Sequence, residues 1–579
     1  MNLASKQPQF LALLKRSAQP ILAFARTDAG KQVFIGSGFI ILAAFLLWPI
    51  TGGDYPPGVD TPTFLHLAWV TDLAVSGELS NSLEDPFWYG GFFYLVYPPL
   101  SYGIVGLLSA LTPASLVHSY LSVLILAYGA FGFSVSFLAR EFGLKWWPAT
   151  LAGFFVLLAY PSLNSVFLWG WFTTVVSLPF ALLSVAFLER SVQRQSWRWA
   201  VAAGVLMALS ALAHHMTALT ISFGLVPWLL IHLAQGPGMR RDTVVRMLLA
   251  ATTTVILILP WAIPFLVTTS DTDFRREIPG NWQAPLSTYV SHVLNPDLVG
   301  EFVFPSYLGV VLTTLALIGL FLSLIERNRL AGIALTSILL LWFSLGTEGN
   351  PLIDHYPFSA LDIARLHLFL VPFLAILAAS TVERFASAIA LARQSLQTPV
   401  GWGIAVVVTT VVVLSYPAYT ALEARSLAES YVVESSVAEA LNWLTEESGT
   451  EDTEGSSIFA VGFWNWHAFL IPTLAERKIV DGWHDEGADN VKLIRELRNM
   501  AWAGGEPVDA QRVHEILVQL KGKFVVLHGS YWVGERANEY LETMRQRPDL
   551  FVFRQSWGDI RIFEVLETSG EKSMAQTSE

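Results

Sequence analysis

GGDYPPGVDTPTFLHLAWVTDLAVSGELSNSLEDPFWYGGFFYLVYPPL, residues 52–100, decides how this chain reads. It holds Asp54, Asp60, Asp72, Glu78, Glu84 and Asp85, and no Lys or Arg occurs between Lys31 and Arg140. Short loops rich in Lys and Arg stay on the cytoplasmic side of a membrane. A basic N-terminal arm followed by a loop with none therefore puts this loop outside. An acidic, aromatic loop punctuated by Gly and Pro, at the outer mouth of a membrane domain, is where chemistry is expected.

The rest of the composition agrees. Of 579 residues, 53% are hydrophobic and only 14% charged, whereas about a quarter of a soluble domain is charged, so the chain is expected to cross a membrane many times. Its net charge of −12 is not spread evenly: residues 421–579 hold 27 acidic and 15 basic side chains, and residues 1–420 hold 20 of each. An apolar module balanced in charge is thus followed by an acidic soluble one. With no cysteine, disulfides, thiolate metal sites and a Cys nucleophile are excluded. No phosphate-binding Gly-rich motif occurs, and no nucleic-acid partner is expected.

Upstream of the loop, Lys6, Lys15, Arg16, Arg26 and Lys31 alternate with Phe10, Leu13, Leu14, Ile21, Leu22 and Phe24. That spacing suits a basic amphipathic helix, residues 1–32, lying on the cytoplasmic leaflet. Residues 34–50 are apolar for about the length of a span and read as a retained first helix with its N-terminus inside. Downstream, spans are expected near 115–139, 148–165, 171–188, 199–213, 217–232, 248–268, 305–324, 330–346, 363–382 and 400–418. Alternating them places Arg140 with Lys145, Arg190 with Arg194 and Arg198, Arg240 with Arg241 and Arg246, Arg327 with Arg329, and Arg384 with Arg393 on the cytoplasmic side. Residues 97–111 are too short for a full span and read as a re-entrant or interfacial helix, for about eleven to thirteen spans in all.

Two more outer segments, 269–305 and 346–361, face the acidic loop, and the second leads into Asp362, Arg365 and His367. From residue 421 the pattern becomes that of an α/β domain. Helices are expected at 435–447, 489–500, 509–520 and 534–546, and strands at 456–462, 523–529 and 560–567. An odd number of spans puts this domain outside. The organisation expected is a cytoplasmic arm (1–32), a membrane domain (33–420) with its acidic outer loop (51–100), and an extracytoplasmic domain (421–579).

Each notable side chain has an ordinary reading. Asp60 opens a helical stretch with Pro62 in its first turn, which favours a helix cap. Against that, Asp54, Glu84 and Asp85 share its loop with Trp88, Tyr89, Tyr94 and Tyr97, aromatic surfaces of the kind sugars stack on. Asp54 competes with Asp60 for any catalytic role. His214 and His215 end a span, and as helix neighbours they point in different directions, so at most one reaches a site. Arg365 near a span end can simply snorkel, with Asp362 as its partner; its alternative role is to grip a phosphate with a bidentate fork. Trp169 and Trp171 read as part of an interfacial aromatic belt. Trp464, Trp466 and Trp483 lie in the soluble domain, in a core or on a surface facing an acceptor. The cluster Asp481, Trp483, His484, Asp485 and Glu486 reads as an exposed turn.

The retained first helix, the pattern Gly58, Asp60, Pro62, His66, then DPFWYGG and YPPL before a helical bundle, and the C-terminal soluble domain together resemble the GT-C class of membrane glycosyltransferases. That class includes oligosaccharyltransferase catalytic subunits, protein O-mannosyltransferases and the aminoarabinose transferase acting on lipid A. The likeness is greatest to the 6-pyruvoyl-tetrahydropterin-synthase-related membrane proteins. The WWDYG motif of oligosaccharyltransferases is absent.

The resemblance implies a mainly α, GT-C-like bundle in the cell membrane, which transfers a sugar from a polyprenyl-phosphate donor to a glycan, lipid or protein acceptor outside, with inversion. It implies Asp60 as the catalytic carboxylate, with Asp54 as competitor. Arg365, His367 and His215 are then expected to hold donor phosphate, and Asp85, Trp88, Tyr97, Trp466 and Trp483 to contact acceptor or sugar. The one cofactor to consider is a divalent cation, Mg or Mn, with Asp60 and Asp85 as ligands. The competing class is a non-catalytic transporter of lipid-linked sugar, or a membrane scaffold with an outer binding domain. Alternating-access transporters carry polar or broken mid-membrane helices in related halves. No internal repeat is found here, and most acids of the membrane part lie in loops, which favours the enzyme.

Overall fold

A computed structural model of the protein describes residues 27–51, 55–78, 97–234, 237–269, 307–344, 352, 363–396, 435–447, 457–462, 470–480, 490–501, 505, 507–529 and 534–566. The first helix, α1 (Asp28–Leu47), starts where Thr27 Oγ1 accepts the Gly30 N–H at 3.0 Å. Residues 1–26 of the expected basic arm lie outside the described residues.

The acidic stretch forms α2 (Thr61–Ser76), which Gly77 ends with the left-handed backbone (φ +79°) of a helix C-cap. Helix α3 (Leu100–Leu111) packs along it, so close at Gly106 that a Cβ there would stand 2.5 Å from the Ala68 carbonyl. Ser109 Oγ ties the pair by donating to Asp72 Oδ2 at 2.8 Å. Twelve residues make a rod of about 18 Å, short of the roughly 30 Å hydrocarbon layer.

The bundle continues with α4 (Leu116–Glu141), α5 (Trp146–Leu158), α6 (Tyr160–Phe167), α7 (Phe172–Gln193), α8 (Trp197–Ala213), α9 (His215–Gly224), α10 (Val226–Leu233), α11 (Pro237–Thr269), α12 (Val310–Glu326), α13 (Ala331–Ser344) and α14 (Ile363–Leu396). Helices thus occupy every expected span position from 34–50 to 363–382; position 400–418 lies outside the described residues. By length and apolar composition 6 of these stretches can cross a membrane, or 7 when α5 and α6, bent by 43°, count as one. The apolar helices α3, α8, α12 and α13 are shorter, at 10–17 residues.

Helix α14 runs through the middle, with Leu366, Leu368, Phe369, Val371, Ile376 and Leu377 fully enclosed. By contrast α1 and α11 lie at the rim and turn Phe34, Phe45, Leu248, Ile256 and Leu266 outward. Such apolar outer faces are what lipid tails cover.

The basic clusters gather at one end of the bundle. There Arg190 grips Glu141 with two hydrogen bonds at 3.0 and 2.5 Å, Lys145 pairs with Glu383 at 3.3 Å, and Arg384 pairs with Glu326. Arg246 donates to the Ser191 carbonyl at 2.9 Å. Arg365 lies on the same helix as Arg384, about 28 Å away by helical rise, at the opposite end.

The C-terminal unit is a five-stranded sheet in the order β2-β1-β3-β5-β4, from β1 (Ser457–Val461), β2 (Lys478–Ile479), β3 (Gly522–His528), β4 (Phe551–Trp557) and β5 (Ile560–Val565). The first three are parallel; β5 joins β3 and β4 in antiparallel register. Helices α15 (Ser435–Glu447), α16 (Leu470–Ala475), α17 (Val491–Ala501), α18 (Ala510–Gln519) and α19 (Gly534–Arg545) complete it. Alternation along the strands sends Phe459, Val461, Val525, Leu527 and Phe563 to one face, with Leu497, Val513, Leu517 and Tyr540. Ile458, Phe524, Val526, Ile560 and Ile562 face the other way, toward α15 and α16, in one core with the membrane bundle. Helix α16 packs directly on α2. The sheet therefore sits at the end of the bundle that carries the acidic stretch.

Candidate active site

Asp60 is fixed by backbone before any side chain acts. The Val59 and Asp60 N–H groups donate to the Leu168 and Trp169 carbonyls at 2.9 and 2.8 Å, latching residues 58–60 onto the turn between α6 and α7. The two chains touch at glycines. A Cβ on Gly58 would lie 2.6 Å from Gly170 Cα, and one on Gly170 would collide with Thr61 Oγ1. Their φ values, +115° and +63°, also fall where L side chains are strained, so both positions need glycine.

Asp60 occupies the N-cap position of α2, but with helical backbone (φ −86°, ψ −8°) and no capping bond from its side chain. The carboxylate turns elsewhere, and the cap reading fails. Asp60 Oδ2 lies 3.3 Å from Arg365 Nη2, and the two side chains are only 3% and 8% exposed. Arg365 does not snorkel. Its Nη1 donates to Thr174 Oγ1 at 3.0 Å and to His214 Nε2 at 2.9 Å, and its guanidinium lies 4.9 Å from the centre of the Trp171 ring. A guanidinium can only donate, so His214 Nε2 accepts from it, while on the far side of the ring Nδ1 lies 2.7 Å from Thr217 Oγ1 and caps α9 by accepting the Thr217 N–H at 3.3 Å. Arg365 is thereby held from four sides.

Tyr97 closes the flank. Its hydroxyl lies 3.0 Å from Thr173 Oγ1, its ring packs on Phe64, and its carbonyl accepts from Tyr102. Burial pushes the phenol above its ordinary value, against the pull of Arg365 and the Thr173 bond, so it stays protonated. The starts of α2, α7, α9 and α14 meet here, and helix N-termini favour negative charge.

The structure thus unites Asp60, Arg365 and Tyr97. The imidazole against Arg365 is that of His214; the His215 ring lies near Trp261 and Phe265. His367 is buried two residues beyond Arg365 on α14, a spacing that places it on a different helix face. Asp54, Glu84, Asp85, Trp88, Asp362, Trp466 and Trp483 lie outside the described residues. Among the described residues no three His, Asp or Glu side chains come together for a metal. Asp60, facing a guanidinium, does not by itself fit a divalent cation.

The belt reading of Trp169 and Trp171 is corrected. Both are buried, stacked at 5.4 Å, and one of them floors Arg365. Thr174 carries no charge to mark it in the sequence. The available signal was Gly170 between two tryptophans, followed by two threonines, breaking an otherwise apolar run.

The fold is shared with solved GT-C glycosyltransferases. It matches the Archaeoglobus fulgidus oligosaccharyltransferase (12% identity, TM-score 0.59, 87% of this chain and 70% of that one). It also matches ArnT from Cupriavidus metallidurans (13% identity, TM-score 0.54, 93% and 98%). A third match is the mycobacterial arabinofuranosyltransferase AftD (13% identity, TM-score 0.59, 94% of this chain but 40% of that one). No curated protein matches the sequence. The family model of the 6-pyruvoyl-tetrahydropterin synthase related domain, a membrane protein, matches residues 94–421, more than half of the chain and most of the bundle. The chain belongs to the 6-pyruvoyl-tetrahydropterin-synthase-related membrane proteins.

Proposed function

We propose that the protein transfers a sugar from a polyprenyl-phosphate donor to an acceptor hydroxyl on the extracytoplasmic side of the membrane, inverting the anomeric centre. The observation that carries this reading is the buried contact of Asp60 with Arg365 at the end of a glycosyltransferase-like bundle that carries the acidic stretch. No nucleotide sugars are supplied outside the membrane, so a lipid-borne donor fits a site set against an apolar bundle. The Archaeoglobus fulgidus relative has been observed in complex with an inhibitory peptide and a dolichol-phosphate.

In the proposed reaction the donor phosphate takes hydrogen bonds from Arg365, whose orientation Thr174, His214 and Trp171 preserve. Its arrival draws the guanidinium off Asp60, which becomes a free carboxylate. Asp60 then removes the proton of the acceptor hydroxyl as that oxygen attacks the anomeric carbon. The bond from this carbon to the phosphate oxygen breaks, and its electron pair leaves with the lipid phosphate, stabilised by Arg365 and the helix N-termini. Attack opposite the leaving group inverts the centre. Packing of α16 on α2 supports an extracytoplasmic α/β domain that meets the acceptor beside the site.

Purified protein incubated with a panel of labelled polyprenyl-phosphate sugars tests this. Release of polyprenyl phosphate with label moving to acceptor supports the reading; a donor that binds without turnover supports the transporter or scaffold class instead. Loss of transfer in EDTA, restored by Mg or Mn, would assign a cation whose ligands include residues beyond those described, Asp85 among them.

A further inference from the structure

The step above leaves unused some buried polar groups on the segments that hold Asp60. Asn164, on α6, is fully buried, and neither its amide oxygen nor its amide nitrogen has a hydrogen-bond partner. Thr63, in the first turn of α2, is equally buried, with an unpartnered hydroxyl. A carboxamide offers two donors and an acceptor oxygen, and enclosing it unsatisfied costs free energy, so such groups usually serve something. Among the described residues no other side-chain amide is buried wholly without partners.

Both residues stand on the segments that latch Asp60. The Asn164 carbonyl accepts from the Leu168 and Trp169 N–H groups at 3.1 Å, and the carbonyls of those two residues accept from Val59 and Asp60. Asn164 therefore lies one helical turn before the residues that latch Asp60. Thr63 lies three residues after Asp60, within a turn of the same helix.

We infer that Asn164 and Thr63 form a hydrogen-bonding subsite for a hydroxyl of the transferred sugar. A sugar hydroxyl both donates and accepts, so it can give its proton to the amide oxygen and accept from the amide N–H of Asn164 or from the Thr63 hydroxyl. The lipid tail could satisfy neither, and a phosphate, which only accepts, would leave the amide oxygen unmet. The inference rests on the function proposed above and names the group that reads the sugar.

Wild type, Asn164→Leu and Thr63→Val are compared on one polyprenyl-phosphate sugar and on its monodeoxy analogues. The melting temperature of each ligand-free protein is the second readout. Leu and Val resemble the replaced side chains in shape without their polar atoms. Wild type is expected to prefer the parent sugar over one deoxy analogue by about tenfold in kcat/KM, the worth of one hydrogen bond. Asn164→Leu should bring that ratio close to one while its melting temperature holds or rises. Thr63→Val carries the same comparison should Asn164→Leu not fold.

A ratio unchanged in both variants would overturn the inference and leave a water molecule as the occupant. Equal losses on every donor with a sharply lower melting temperature would also overturn it and mark a structural role. If wild type turns over no donor at all, the proposed function fails and this inference falls with it.

Discussion

Arg365 is charged in any protein, and enclosed as it is, it needs Asp60 as a partner. Removing one member of a buried pair leaves the other uncompensated, typically at a cost of about 3–5 kcal/mol. Arg365→Ala should therefore lower the melting temperature in detergent markedly, and adding Asp60→Asn to it should recover part of the loss. Equal losses from the single and double variants would show that the pair is not coupled. Arg365→Lys keeps the charge but loses the fork and the flat face over Trp171. It should melt near wild type yet turn over donor at least tenfold more slowly. Arg365 could be found from sequence because it carries charge where charge is scarce, and Asp60 because it matches the Gly58, Asp60, Pro62, His66 pattern within an acidic stretch. Trp171, Thr174 and the choice of His214 over His215 could not. Their meaning depends on residues 168–171 folding inward to meet residues 58–60, a contact that no local spacing encodes.

At the scale of elements, the site depends on two helix breaks. Gly170 and Gly58 let the turn before α7 and the start of α2 share one space. Forcing a side chain into a left-handed conformation costs about 1–3 kcal/mol, and here it would also push Thr61 and Asp60 away. Gly170→Ala should keep its helical circular dichroism while transfer falls at least tenfold; unchanged transfer would show that the latch does not position Asp60. Long apolar helices were readable because hydropathy and length define them. The breaks were harder, although Pro161 and Pro227 stand in the first turns of α6 and α10, where prolines follow a break. In the α/β unit, β1, β3 and β5 showed as continuous apolar runs. The short β2 went unseen, and so did β4, whose Arg554, Gln555 and Ser556 are exposed at the sheet edge.

For the whole molecule, the prediction is one of sides. Ion pairs close one end of the bundle, while Asp60, Arg365 and the α/β unit share the other. Because the chain has no cysteine, each introduced one is unique. Glu542→Cys, at an exposed site in α19, should react with a membrane-impermeant thiol reagent in sealed right-side-out vesicles. Gln195→Cys, exposed between α7 and α8, should react only after permeabilisation. The separation of basic clusters from the acidic stretch at opposite ends was legible from sequence, since it is written in loop composition rather than in contacts. Packing of α16 against α2 was not legible, because it joins segments far apart in the chain. The most direct test of the whole account is transfer of labelled sugar from a polyprenyl-phosphate donor by wild type, Asp60→Asn and Asp54→Asn at matched folding. The account predicts that Asp60→Asn abolishes transfer and Asp54→Asn spares it; transfer that survives Asp60→Asn would contradict it.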